Sequence, residues 1–185
     1  FWPDPEGMVR ELEELGIKLM VSVWPTVEEG SENYQYMEEM GYLIRTEAGP
    51  RLQIKNKDTY MDATNPEARA FVWDKLKAHY YDKGIHLFWL DECEPEVTKY
   101  EYDNYRFSIG SDKETGNLYP KEFARMVYEG RRAEGEEEIL SLVRCAWAGA
   151  QKYGALVWTG DICSDFTSLR NQIAAGMNMG LCGFP

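Results

Sequence analysis

Residues 65–91, NPEARAFVWDKLKAHYYDKGIHLFWLD, spell out one complete unit of the fold. The Asn65 side chain suits the free amides of a first helical turn, and Pro66 suits the first helical position because it has no amide proton to satisfy there. Phe71, Val72 and Leu76 follow at helical spacing, Gly84 stops the helix, and IHLFWLD reads as a buried strand that runs into an acid. A helix followed by a strand that is apolar throughout is the unit of a parallel sheet covered by helices.

The same grammar recurs on both sides. Asp4-Pro5 starts a helix with Met8, Val9, Leu12 and Leu15 on one face, Gly16 ends it, and IKLMVSVW (17–24) reads as a strand. A third helix starts near Pro120, carries Phe123 and Val127, and ends at Gly135 ahead of the strand ILSLVRCAW (139–147). ALVWTGD (155–161) is a fourth strand. SDFTSLRNQIAAGMNMG (164–180) is an amphipathic helix with Phe166, Leu169 and Ile173 in register, and LCGFP (181–185) looks like the start of a fifth strand. An open doubly wound sheet and a closed barrel both fit this alternation. No GxGxxG or GxxxxGK[ST] follows any strand, which counts against the nucleotide-binding sheets. A barrel of eight units needs about 250 residues, so the expectation is α/β, with residues 1–185 forming one partial (β/α)8 barrel domain.

Composition narrows the function. With 185 residues, 44% hydrophobic and 14% aromatic, the chain can build one substantial core. A net charge of -12 argues against nucleic acid and anionic membrane as partners. No apolar run approaches the ~20 residues of a membrane span, and no leader peptide is visible. Cys93, Cys145, Cys163 and Cys182 form no CxxC pair and only two histidines are present, so neither metal nor cofactor is expected. The scattered cysteines suggest a reducing, cytoplasmic setting.

The chemistry gathers where strands end. Asp91 closes a buried strand and is followed by Glu92, Glu94 and Glu96, a cluster that repels itself unless something uses it. Asp161 repeats the arrangement after ALVWTGD, with Ser164 available to cap the next helix and release it. Arg144, near the end of ILSLVRC, can fork onto sugar hydroxyls or hold a carboxylate, or make a plain structural ion pair. Trp24, Trp89, Trp147 and Trp158 lie near strand ends, where they form either a sugar-stacking wall or core. Two long loops, roughly 28–60 with a short helix ENYQYMEEMG and 95–119 with YEYDNYRFSIG, follow strand C-termini, the side on which parallel α/β folds bind ligands. Two carboxylates on one barrel face suit glycoside hydrolysis. The same acids also admit a non-catalytic sugar-binding module, or a divalent-metal site using the acids from Asp91 to Glu96.

GIHLFWLDECEPE (84–96) and LVRCAWAGAQKYGALVWTGD (142–161) resemble the two signature regions of glycoside hydrolase family 31. WPDPEGMVRELEELGIKLMVSVWPTV (2–27), MDATNPEARAFVW (61–73) and SLRNQIAAGMNMGLCGFP (168–185) resemble its connecting segments, closest to α-xylosidase-like and α-glucosidase-like members. The resemblance implies a (β/α)8 barrel from about strand 3 to strand 7. It implies Asp91 as nucleophile, Asp161 as general acid/base, and Arg144 and Trp158 lining the sugar pocket. It also implies retaining hydrolysis of a terminal α-linked glucose or xylose, with an oligosaccharide or other α-glycoside as the partner and oligomeric state left open. Cys145 departs from the small serine the family usually carries there.

Overall fold

In the computed structural model, which describes residues 2–54, 58–95 and 103–185, the first helix begins where its cap puts it. The Gly7 amide donates to Asp4 Oδ1 at 2.8 Å, Pro5 opens α1 (Pro5–Glu14), and Gly16 turns the chain with φ +74°. Strand β1 (Met20–Val23) follows, then β2 (Thr26–Val27), the short helix α2 (Tyr34–Glu39), β3 (Arg45–Thr46) and β4 (Thr59–Tyr60). Asn65 caps α3 (Pro66–His79) through the Glu67 amide at 2.9 Å, and β5 (Leu87–Leu90) comes next. Strands β6 (Tyr105–Phe107) and β7 (Gly110–Ser111) and the single turn α4 (Asp112–Thr115) lead into α5 (Tyr119–Ala133). The chain closes with β8 (Ser141–Val143), β9 (Ala155–Val157) and α6 (Phe166–Leu181).

Strands β1, β5, β8 and β9 form one sheet in that spatial order, and every pairing is parallel. An open doubly wound sheet reverses its strand order at a switch point. Here sequence order and spatial order agree from end to end, which is barrel topology. The architecture is α/β, a run of consecutive strands of a TIM barrel.

Phe88 and Leu90, alternate residues of β5, are fully buried on the helix-covered face. Trp73 of α3 meets Phe88 edge-on, with ring centroids 6.1 Å apart. Gly130 lets α5 close on the same ring, since a Cβ there would stand 2.2 Å from Trp73. Trp89 points to the other face and shares it with Asp91.

The described parts of the two long loops hold more strand than turn-rich composition suggests. β2 pairs with β4, and β3, β6 and β7 form a second antiparallel sheet that joins both loops across the strand C-termini. These strands have two or three residues each, too few for an alternating pattern to register.

Three local expectations change. Asp165, not Ser164, caps α6, accepting from the Ser168 amide at 2.7 Å, because Asp165 is the residue immediately before the first helical turn. Residues 182–185 form no strand: the helix runs to Leu181 and ends in a turn, although Phe184 is buried. The apolar positions of α6 are helical as expected, but Phe166, Leu169 and Ile173 are exposed, so this face is unpacked among the described residues. No helix among the described residues is long and apolar enough to cross a membrane.

Candidate active site

The sheet ladder places Asp91 beside Arg144. Leu90 pairs with Val143, the Asp91 amide donates to the Val23 carbonyl at 3.0 Å, and the Arg144 amide donates to the Leu90 carbonyl. Two side chains 53 positions apart therefore leave neighbouring strands side by side.

Asp91 is 8% exposed, and its two oxygens have different surroundings. Oδ1 accepts from the Glu92 amide at 3.0 Å and lies 3.6 Å from Arg144 Nε. Oδ2 accepts from the indole N–H of Trp24 at 3.1 Å. Trp24 is itself 54% exposed, so its ring forms part of the open mouth rather than the core.

Sequence reasoning offered the neighbouring acids no part in the glycosidase reading, only the divalent-metal alternative, and the structure supplies contacts for two of them. Glu92 takes a left-handed backbone, φ +50°, which is unfavourable for a residue with a Cβ. The turn aims the Glu92 amide at Asp91, and Oε2 of Glu92 comes within 3.4 Å of the Thr26 and Tyr60 hydroxyls on the β2–β4 ribbon. Glu94, followed by a cis bond to Pro95, grips Arg144 side-on: Nε to Oε1 at 3.0 Å, Nε to Oε2 at 3.3 Å and Nη2 to Oε2 at 3.1 Å. Glu96 lies outside the described residues. The spacing D-E-x-E contained the signal, but only the partner strand reveals which acid meets the arginine.

Cys93 and Cys145 pack beneath these loops, and the Cys93 thiol donates to the Cys145 carbonyl at 3.6 Å. Burial pushes the Cys93 thiol up to about 11 and Cys145 to about 12. All four cysteines are free. Among the described residues no three His, Cys, Asp or Glu side chains converge as a metal site.

The tryptophans divide. Trp89 and Trp158 pack edge-on, 5.1 Å between centroids, and both are half-buried. The Trp89 indole nitrogen is buried, with no hydrogen-bond partner among the described residues. Trp147, half-exposed, lines a cavity of about 220 Å³ together with Glu94, Tyr105, Phe107, Asp112 and Asn117. Asp112 faces that cavity with its carboxyl raised by burial.

Asp161 lies four residues beyond β9, is exposed, and makes no hydrogen bond or ion pair with the described residues. The structure thus brings Asp91, Arg144 and Trp24 into contact, groups Trp89 with Trp158 nearby, and leaves Asp161 outside that network.

The chain matches the family model for the glycosyl hydrolases family 31 TIM-barrel domain over residues 1–185. It is 55% identical to an uncharacterized family 31 glucosidase (ORF2) of Pseudescherichia vulneris, covering all of this chain and 35% of that protein. It is 34% identical to an alpha-xylosidase of Saccharolobus solfataricus, covering 24% of that protein. Among solved structures, a GH31 alpha-xylosidase from a soil metagenome, complexed with xylose, superposes with a TM-score of 0.95 at 52% identity, covering 99% of this chain and 27% of that one. The chain therefore spans about a third or less of the length of these relatives. Strand order, the paired signature regions and the full-length match agree: the chain belongs to glycoside hydrolase family 31.

Proposed function

We propose that this chain carries the central catalytic part of a retaining, exo-acting α-glycosidase that removes a terminal α-linked xylose or glucose. The observation that carries the reading is the setting of Asp91: a buried carboxylate at the C-terminal end of an interior strand, held by two N–H donors and flanked by a guanidinium.

In the first half-reaction an Asp91 oxygen forms a bond to the anomeric carbon as the bond to the leaving oxygen breaks. Asp161 gives its proton to that oxygen, and the product alcohol departs. In the second, Asp161 takes a proton from water, the water oxygen bonds to the anomeric carbon, and the ester to Asp91 breaks. Two inversions leave the configuration retained. The exposure of Asp161 suits this double duty, because both the leaving group and the incoming water must reach it. Arg144 supplies positive charge beside the nucleophile, Trp24 closes one side of the mouth, and Trp158 against Trp89 forms an aromatic wall for the sugar face. The family membership supports the reaction class, and the likeness to an alpha-xylosidase complexed with xylose makes xylose the first sugar to test.

The test uses the full-length protein with 4-nitrophenyl α-xyloside and α-glucoside, the product anomer followed by NMR. Release of the α-anomer first is expected; release of the β-anomer overturns retention. Retention also requires the Asp91 and Asp161 carboxyls to stand roughly 5–5.5 Å apart in a sugar complex.

A further inference from the structure

We infer that Glu94 is a positioning residue that holds the Arg144 guanidinium away from Asp91 and so keeps the attacking carboxylate free. The inference rests on the reading of Asp91 as nucleophile.

Among the described residues two acids share one cation unequally. Arg144 Nε is 3.0 Å from Glu94 Oε1 but 3.6 Å from Asp91 Oδ1, beyond hydrogen-bond reach. Glu94 makes three contacts with the guanidinium, the side-on fork that fits a carboxylate best, while Asp91 makes none within 3.5 Å. The guanidinium is poorly solvated here: the Arg144 side chain is 16% exposed and that of Asp91 11%. A buried cation takes whatever anion is offered, and the sheet register already holds Asp91 within 0.6 Å of bonding distance of it.

The consequence for chemistry follows from lone pairs. A carboxylate engaged by a forked guanidinium spends both oxygens on hydrogen bonds, and its charge is delocalised onto the arginine. Such a group is a poor nucleophile. With Glu94 occupying the fork, Asp91 keeps the favourable field of a nearby cation without surrendering an oxygen to it. Oδ2, whose single neutral donor is the indole of the exposed Trp24, is then the oxygen best placed to attack. The chain leaves the strand direction at once, with Glu92 in the left-handed region at φ +50°, and the acid three positions beyond Asp91 meets the same guanidinium.

The decisive variant is Glu94→Gln, nearly isosteric but uncharged, in the full-length protein. Its crystal structure should show Arg144 moved onto Asp91, with Nε to Oδ1 at about 2.9 Å. A guanidinium that stays at its present distance overturns the inference, whatever the activity. The rate of covalent labelling by 5-fluoro-α-D-xylosyl fluoride, read by intact mass, should fall tenfold or more. Glu94→Asp, which restores the charge, should recover at least a third of the wild-type rate. Wild-type labelling by Glu94→Gln, or equal slowing by both variants, counts against a charge-based role. If Glu94→Gln does not fold, the same distance in Glu94→Asp decides, since a shortened acid should let Arg144 shift part of the way toward Asp91 and an unmoved guanidinium refutes the clamp. If the wild-type label sits on a residue other than Asp91, the catalytic reading fails, while the Arg144 shift still decides whether Glu94 holds the arginine.

Discussion

The acid after β5 and the acid after β9 end similar apolar strands in opposite surroundings. Asp91 leaves an interior strand with β1 on one side and β8 on the other. Each neighbour contributes: β1 brings Trp24 just past its end, and β8 brings Arg144. Asp161 follows β9, which has one neighbour among the described strands, and it stands exposed, with no partner among the described residues. The difference teaches that a strand end makes a site only when adjacent strand ends supply donors. The contrast fits the roles proposed above: an attacking carboxylate needs fixing, while an acid that exchanges protons with a leaving group and with water needs access.

The sharpest way to break the comparison is to remove each acid in the full-length protein. Asp91→Ala should lower turnover of an aryl α-glycoside by about 10⁴-fold or more, because alanine cannot form the proposed ester. Wild-type turnover would remove Asp91 from the mechanism. Asp161→Ala should cost about 10²–10⁴-fold on substrates with poor leaving groups and far less on a 2,4-dinitrophenyl glycoside, which departs without a proton. Added azide should restore that variant by forming a glycosyl azide; equal losses on both substrates would sink the acid/base role.

The cysteines two residues beyond each acid sharpen the same contrast. Cys93 is buried with its thiol raised from 9.0 to about 11, while Cys163 is exposed. At pH 8 the thiolate fraction of Cys93 is about a hundredfold smaller than that of an ordinary thiol. Iodoacetamide should therefore modify Cys163 before Cys93, and reach Cys93 only as pH climbs toward 11, as peptide mass spectrometry would show. The linkage sign follows: stability from the buried neutral thiol is complete below pH 9 and is lost as pH rises from there through the folded value. A chemical melt that is flat from pH 8.5 to 11 would contradict it.

Trp24→Phe keeps the ring but removes the indole donor to Oδ2, and should lower kcat/KM about tenfold, the order expected for one hydrogen bond to a charged group. An unchanged value would make Trp24 a wall and nothing more. The smallest effect belongs to the start of α6. Asp165→Ala should fray its first turn, seen as faster amide exchange at Ser168, while Ser164→Ala should leave it unchanged.

Legibility followed the range of the interaction. Asp4-Pro5 and Asn65-Pro66 announced α1 and α3, because a cap and its amide lie two or three residues apart. At α6 the same logic chose Ser164 over Asp165, since two adjacent oxygen-bearing residues differ by one position and only backbone geometry separates them. The strands of the main sheet were readable as apolar runs, but the ribbons β2–β4 and β3–β6–β7 were not. Asp91 was visible as an acid ending a buried strand, whereas Glu92 and Glu94 were visible only as excess charge.

The sequence by itself determined the alternation of helices and strands, the positions of Asp91, Arg144 and Asp161 near strand ends, and, through its long signature regions, the family. These depend on residues near one another along the chain. Tertiary structure decided that the strands run in order without reversal, that Trp24 reaches Oδ2 and that Glu94 rather than Asp91 holds the arginine. Each of those depends on which strand lies beside which, a choice made by burial over the whole sheet.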